Sequence, residues 1–163
     1  MNQPEMKRVV QLGIVCKDAK GAMDKFCKLF NVGPKAVMYF SDTNGAIHDQ
    51  TYYGKRVSFD LSLALVNYAG IQFEFIQPLR GDDNPYSDYL KSNPNGGIHH
   101  INVAWRDFGG ACKALRDAGA TELTTGELMG GEFIYLELLE QMGLVFESSA
   151  NIPDDYGIGD LMP

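Results

Sequence analysis

Gly96-Gly97-Ile98-His99-His100-Ile101-Asn102-Val103-Ala104-Trp105-Arg106-Asp107 opens on a glycine pair that interrupts whatever precedes it. It closes on an aspartate suited to cap a helix. Between them the residues alternate as in a strand, where successive side chains point to opposite faces. His100 therefore shares a face with Asn102 and Ala104. His99 is assigned to the face of Ile101, Val103 and Trp105, the apolar side expected to pack on a helix, where it packs or hydrogen-bonds rather than holding a metal. One histidine on a polar strand face is most often structural. A second copy of the pattern gives this one more weight.

That copy is Gln11-Leu12-Gly13-Ile14-Val15-Cys16-Lys17-Asp18. The offset from Gln11 to His100, 100 − 11 = 89, also sets Asp18 on Asp107 and Ala22 on Ala111. A further echo sets Gly70-Ile71-Gln72-Phe73-Glu74 on Gly143-Leu144-Val145-Phe146-Glu147, with an offset of 147 − 74 = 73. Each half thus opens with Gln or His on one strand and closes with Glu on another. By parity all four side chains point away from apolar neighbours. Taken singly, Glu74 and Glu147 read as exposed strand-edge residues; their paired positions in a repeat favour a shared site. An internal repeat fixes architecture more firmly than any single element.

The 163 residues are 45 % hydrophobic, enough for a real core in one domain spanning 1–163. The net charge of −7 argues against a nucleic-acid surface, which needs a basic stripe. Cys16, Cys27 and Cys112 form no CxxC pair and read as free thiols in a reducing compartment. The first eight residues carry no apolar stretch of signal-peptide length, and no run approaches a membrane span, so a cytoplasmic protein without a membrane partner is expected.

Each half reads β-α-β-β-β. The first module is expected over 8–78, a connection with a short helix (85–91) over 79–96, the second module over 97–149, and an acidic tail over 150–163. Residues 41–53 read as a loop over the site or a wide hairpin. Residues 56–66 alternate cleanly, with Val57, Phe59, Leu61, Leu63 and Leu65 on one face. The other face carries Arg56, Ser58, Asp60, Ser62 and Ala64, and is expected to line a wet cavity. The fold class is therefore α+β: two βαβββ modules forming a cup-shaped, curled mixed sheet with the helices outside.

This pattern resembles the vicinal oxygen chelate superfamily, in its glyoxalase-like and methylmalonyl-CoA-epimerase-like branch, over about residues 8–149. Three segments carry the resemblance. They are Gln11-Leu12-Gly13-Ile14-Val15 with Asp18 and the Gly33-Pro34 helix exit, Leu61-Ser62-Leu63-Ala64 with Ile71-Gln72-Phe73-Glu74, and Gly97-Ile98-His99-His100-Ile101. The resemblance implies that Gln11, Glu74, His100 and Glu147 bind one divalent ion: Zn, Ni, Co, Mn or Mg. Epimerases of the branch usually have His and Gln at the first two positions. The set Gln, Glu, His, Glu is that of eukaryotic-type glyoxalase I, although no match to glutathione-binding residues is seen. A single histidine counts against the iron sites of the extradiol dioxygenases.

One imidazole and three oxygen donors suit a hard or borderline ion with positions left for two substrate oxygens. The implied chemistry is proton abstraction next to a carbonyl of a small substrate, by an isomerase, epimerase or lyase, with a thioester as one candidate. Glu74 and Glu147 are the candidate bases. Arg56, Asp60, Tyr135 and His48 are candidate substrate contacts, each with a plainer role as a paired or wall residue. The alternatives are a non-catalytic small-molecule binder, and an enzyme of metal-assisted hydrolysis or ring opening. A homodimer is expected, because an open curled sheet leaves strand edges to cover.

Overall fold

A computed structural model of the chain describes residues 3–150 and residue 152. The expected acidic tail thus lies outside the described residues, apart from 150 and 152. The elements run β1 (Met6–Val15), α1 (Ala19–Phe30), β2 (Ala36–Phe40), β3 (Ile47–Tyr52), β4 (Lys55–Arg56), β5 (Asp60–Tyr68) and β6 (Ile71–Arg80). Then follow α2 (Pro85–Ser92), β7 (Gly97–Trp105), α3 (Phe108–Asp117), β8 (Thr121–Leu128), β9 (Gly131–Leu138), α4 (Leu139–Met142) and β10 (Leu144–Ser149).

The two capping aspartates of the repeat do the same work. Asp18 accepts from the Gly21 amide at 2.9 Å and Asp107 from the Gly110 amide at 3.0 Å, satisfying N-terminal donors of α1 and α3. Asn84 accepts from the amides of Tyr86 and Ser87 ahead of α2, with Pro85 in the first turn.

All ten strands form one mixed sheet in the order β2-β5-β6-β1-β7-β10-β9-β8-β3-β4. In each half the first strand runs parallel to the last, β1 to β6 and β7 to β10, and β1 pairs antiparallel with β7 where the halves meet. The halves are thus β1-β6-β5-β2 and β7-β10-β9-β8, the curled βαβββ pair that the repeat implies. On the convex side α1 covers Ala64, Val66 and Phe75, while α3 brings Cys112 and Leu115 against Val103, Leu136 and Phe146. Each such buried Val, Leu or Phe side chain contributes about 1.5–3 kcal/mol of transfer free energy. Among the described residues, no helix is long and apolar enough to cross a membrane.

Three features depart from the sequence reading. First, residues 56–66 are not one strand. The ladder breaks at residues 57–59, where the Gln50 side chain grips the Phe59 backbone, donating to its carbonyl at 3.1 Å and accepting from its amide at 3.3 Å. Second, β5 is inverted relative to expectation. Leu61 and Leu63 join the apolar cluster inside the cup, whereas the smaller Ala64 and Val66 lie under α1. The wall is therefore apolar rather than wet, because α1 needs small partners and the bulky leucines fill the concavity. Third, residues 41–59 form a strap. Of the two readings of 41–53 the hairpin holds, and its β3 strand crosses to pair with β8 of the other half.

Candidate functional site

The four central strands β6, β1, β7 and β10 carry the site. In one register row Gln72, Gln11, Asn102 and Glu147 stand opposite one another, and in the next Glu74, Gly13 and His100 do. Every side chain in these rows is buried. Gly13 is the gap that makes the second row work: a Cβ there would fall inside the imidazole of His100. Without one, the ring lies across β1 and reaches toward Glu74. His100 Nε2 is 3.7 Å from Glu74 Oε2 and 3.0 Å from Glu147 Oε2. One ligand atom from each of Glu74, His100 and Glu147 lies within 4.8 Å of the others.

Burial sets the protonation states. It pushes the His100 imidazole down to about 3, so the ring is neutral at physiological pH. It pushes Glu147 up to about 8, opposed only by a hydrogen bond from Asn102. Burial, and then the neighbouring Glu147, hold Glu74 well above the carboxylate range. By distance alone His100 and Glu147 resemble an ion pair. The desolvated imidazole speaks against it, and so does geometry, since Glu147 Oε2 has no hydrogen-bond partner although Nε2 is 3.0 Å away. A buried carboxyl oxygen without a hydrogen-bond partner is costly. A divalent cation between two carboxylates and a neutral imidazole would satisfy it, and this donor set suits such an ion. The residues present thus fit the metal that the sequence implied.

The profile described as the Glyoxalase/Bleomycin resistance protein/Dioxygenase superfamily matches residues 10–135. The chain belongs to this superfamily. It is 35 % identical over 83 residues to the ethylmalonyl-CoA/methylmalonyl-CoA epimerase of Cereibacter sphaeroides, covering 51 % of this chain and 57 % of that protein. It is 35 % identical over 60 residues to the mitochondrial methylmalonyl-CoA epimerase of Dictyostelium discoideum, 37 % of this chain and 36 % of that one. The chain therefore spans between about a third and somewhat over half of the curated relatives it matches. Among solved structures, a Streptomyces coelicolor methylmalonyl-CoA epimerase in complex with 2-nitronate-propionyl-CoA superposes with a TM-score of 0.64 at 18 % identity, over 89 % of this chain and 97 % of that one. The Mycobacterium tuberculosis methylmalonyl-CoA epimerase gives 0.65 at 14 % identity, over 94 % and 93 %. These establish the superfamily's fold for the chain.

The superfamily cup of this chain is nearly full. The cavity beside Glu74 and Glu147 measures about 20 Å³, walled by Phe40, Ile47, Leu61, Leu63, Tyr86, Leu128, Phe133 and Tyr135. That is space for about one water or one ion. A larger cavity of about 530 Å³ lies outside, between α3 and β8–β9, and none of the triangle residues lines it.

Of the other candidates, Tyr135 is at the site. Its hydroxyl is 3.4 Å from His100 Nε2 and 2.9 Å from the Tyr86 hydroxyl. Gln11 is buried on the same concave face. Its Nε2 donates to Gln72 at 2.9 Å, and its Oε1 accepts from Asn102 at 3.3 Å with a lone pair to spare. Three expectations are corrected. Arg56 is 79 % exposed and paired with Asp49, because β4 lies at the outermost edge of the sheet beyond β8. His48 lies on β3 between Asp49 and Glu127, outside the cup. Asp60 does not line the cavity; Arg80 clamps it at 2.9 and 2.7 Å, Tyr39 donates to it, and these bonds hold its carboxyl low. Arg56→Ala should therefore leave divalent-metal affinity within about twofold of wild type, as the side chain stands outside the cup and its exposed, solvent-screened ion pair does not reach the triangle. A tenfold change in a metal titration would put Arg56 back at the site.

Gly13, Tyr86, Gln72 and His99 are site residues that the sequence reading did not single out as functional. Tyr86 sits in the first turn of a connecting helix, where nothing in its neighbourhood signals a role.

Proposed function

We propose that this protein is a divalent-metal-dependent epimerase of a coenzyme A thioester whose α-carbon bears an acidic C–H, of the methylmalonyl-CoA type. The single observation that carries this is the buried Glu74–His100–Glu147 triangle with its orphaned Glu147 oxygen. The metal would be held by these three side chains, with the spare Gln11 lone pair as the fourth donor. When bound, the ion would withdraw electron density from the thioester carbonyl and acidify the adjacent C–H.

The rest is the work of the chain. Glu74 stands on β6 and Glu147 on β10, flanking the β1–β7 pair from opposite sides. A substrate carbon seated above His100 presents one face to each. One carboxylate takes the α-proton as the C–H electron pair moves toward the carbonyl; the second, released from coordination and protonated from solvent before the site closes, delivers its proton to the other face and inverts the centre. A carboxylate is a weak base while it ligates a cation; released as substrate oxygens enter, it regains the proton affinity that burial confers. The Tyr135 hydroxyl, joined to Tyr86, is placed to donate to a substrate oxygen. The apolar wall excludes water that would otherwise quench the carbanionic character. Because the cavity is about 20 Å³, its apolar wall must open to admit the acyl group. The coenzyme body then stays outside. We also propose a cytoplasmic homodimer, consistent with three free cysteines and with sheet edges at β2 and β4.

The test is isotope exchange. Metal-loaded protein in D2O should wash deuterium into the α-position of methylmalonyl-CoA, and chelation should reduce the rate at least 100-fold. Absence of exchange from the fully loaded protein would reject the epimerase reading.

A further inference from the structure

We propose that His99 is a positioning residue: it accepts the Nδ1–H of His100 and so leaves a lone pair on His100 Nε2, the nitrogen beside Glu74 and Glu147. The proposal deepens the metal reading above and rests on it for the choice of tautomer, but not for the contact between the two rings.

Strand parity would send His99 to the convex face with Ile101 and Val103. A bulge prevents this. On β7, His100 pairs with Gly13, but the next paired residue is Ile98, opposite Ile14, so His99 has no partner across the ladder. The extra residue turns the His99 ring back beside its neighbour. It packs against Tyr86 and Tyr89 of α2 and against Tyr135, with centroids 5.5, 5.2 and 6.0 Å away. There His99 Nδ1 stands 3.0 Å from His100 Nδ1.

Two ring nitrogens at that distance share one hydrogen. Two lone pairs would repel, and so would two N–H groups. One Nδ1 must therefore donate and the other accept, so the contact fixes the two rings as opposite tautomers. The far nitrogen of His100 decides which is which. It stands 3.0 Å from Glu147 Oε2 and 3.7 Å from Glu74 Oε2, and a nitrogen that is to share a cation with those carboxylates must present a lone pair, which puts the hydrogen of His100 on Nδ1. Tyr135, whose hydroxyl is 3.4 Å from Nε2, is a donor in reach of a lone pair there. His100 is thus Nδ1–H and His99 is Nε2–H. A ligating imidazole commonly hands its second N–H to an acceptor, usually a carboxylate or a carbonyl. Here the acceptor is another histidine, placed by a bulge.

The deciding measurement is long-range 1H–15N correlation on metal-free, 15N-labelled protein, which reads the tautomer of each ring. The expected pattern is His100 as Nδ1–H and His99 as Nε2–H. His100 as Nε2–H, or the same tautomer in both rings, would overturn the proposal. His99→Phe keeps a ring against the tyrosines and removes the acceptor. It should weaken Zn or Co binding about 10–100-fold and shift His100 toward a tautomer mixture, while His99→Gln, which retains an acceptor, recovers part of the affinity. A Phe variant with unchanged tautomer and affinity would refute the role. If wild-type protein bound neither ion, the metal reading would fail, and the tautomer measurement would still decide what His99 does.

Discussion

Gly13→Ala should strip the protein of its metal while leaving most of the fold intact. Gly13 lies between Glu74 and His100 in one register row, and the added methyl would occupy the space of the imidazole. The side chain of His100 is fully enclosed, so the ring cannot swing aside without displacing Tyr135 or its partner His99. Overpacking of this kind costs about 1–3 kcal/mol of stability. The loss at the site is larger, because Nε2 leaves the point on which both carboxylates converge, and affinity for a divalent ion should fall at least 100-fold. Gly33→Ala is the matched control. Its Cβ would meet nothing within 4 Å, and metal affinity should not change. Titration of both variants with Zn or Co, alongside thermal unfolding, separates the effects. Wild-type affinity in Gly13→Ala would show that His100 does not bind from this position.

The triangle was legible because two periods agree. Alternation put His100, Glu74 and Glu147 on the faces opposite their apolar neighbours, and the repeat paired them across the halves. Both are local properties of strands, and both survive folding. His99 was misplaced by the same rule that placed His100, since a bulge adds one residue and reverses the face, and no residue type in Gly97-Ile98-His99-His100 announces it. On β5 the pattern was right and the assignment of faces was not. Leu61 and Leu63 against Asp60 and Ser62 says that the faces differ, but which one looks into the cup depends on whether α1 packs better on leucine or on Ala64 and Val66. Arg56 and His48 were lost to a long-range event: β3 and β4 leave the first half and pair beyond β8, a choice that polar residues around Asn44-Gly45 do not encode. Gly13 could have been found. A glycine two residues from a candidate ligand, on the same strand face, marks a close approach.

The second large effect is a pH-dependent stability that a divalent ion should erase. Unfolded, Glu147 ionises near its ordinary 4.5; in the folded, metal-free protein it holds its proton up to about 8. Between those values the native state carries a proton that the unfolded chain has lost, so rising pH favours unfolding, by about 1.4 kcal/mol per pH unit for each such group. Glu74 is raised as well and acts in the same direction. His99 and His100 work the opposite way. Both are pushed from 6.5 to about 3, so the unfolded chain alone takes up protons below 6.5 and falling pH is unfavourable there. The two influences oppose each other below 6.5, and above it only the glutamates act. Asp49, Asp60 and Asp88, held low chiefly by hydrogen bonds from His48, Arg80 and Lys91 respectively, are ionised in both states and contribute nothing in that window. Metal-free protein should therefore lose about 2 kcal/mol between pH 6.5 and 8 from Glu147, with Glu74 adding to the loss in the same direction. Coordination requires both carboxylates ionised, so with the ion present the loss should vanish, and binding should release protons and tighten as pH rises. Urea unfolding at pH 6.5 and 8.0, in chelator and in excess divalent ion, measures all four points. Glu147→Gln should make the metal-free slope shallower, because an amide has no proton to lose. A chelated protein equally stable at both pH values would mean that the two carboxyls are already ionised in the empty site, and that the triangle repels itself rather than waiting for a cation.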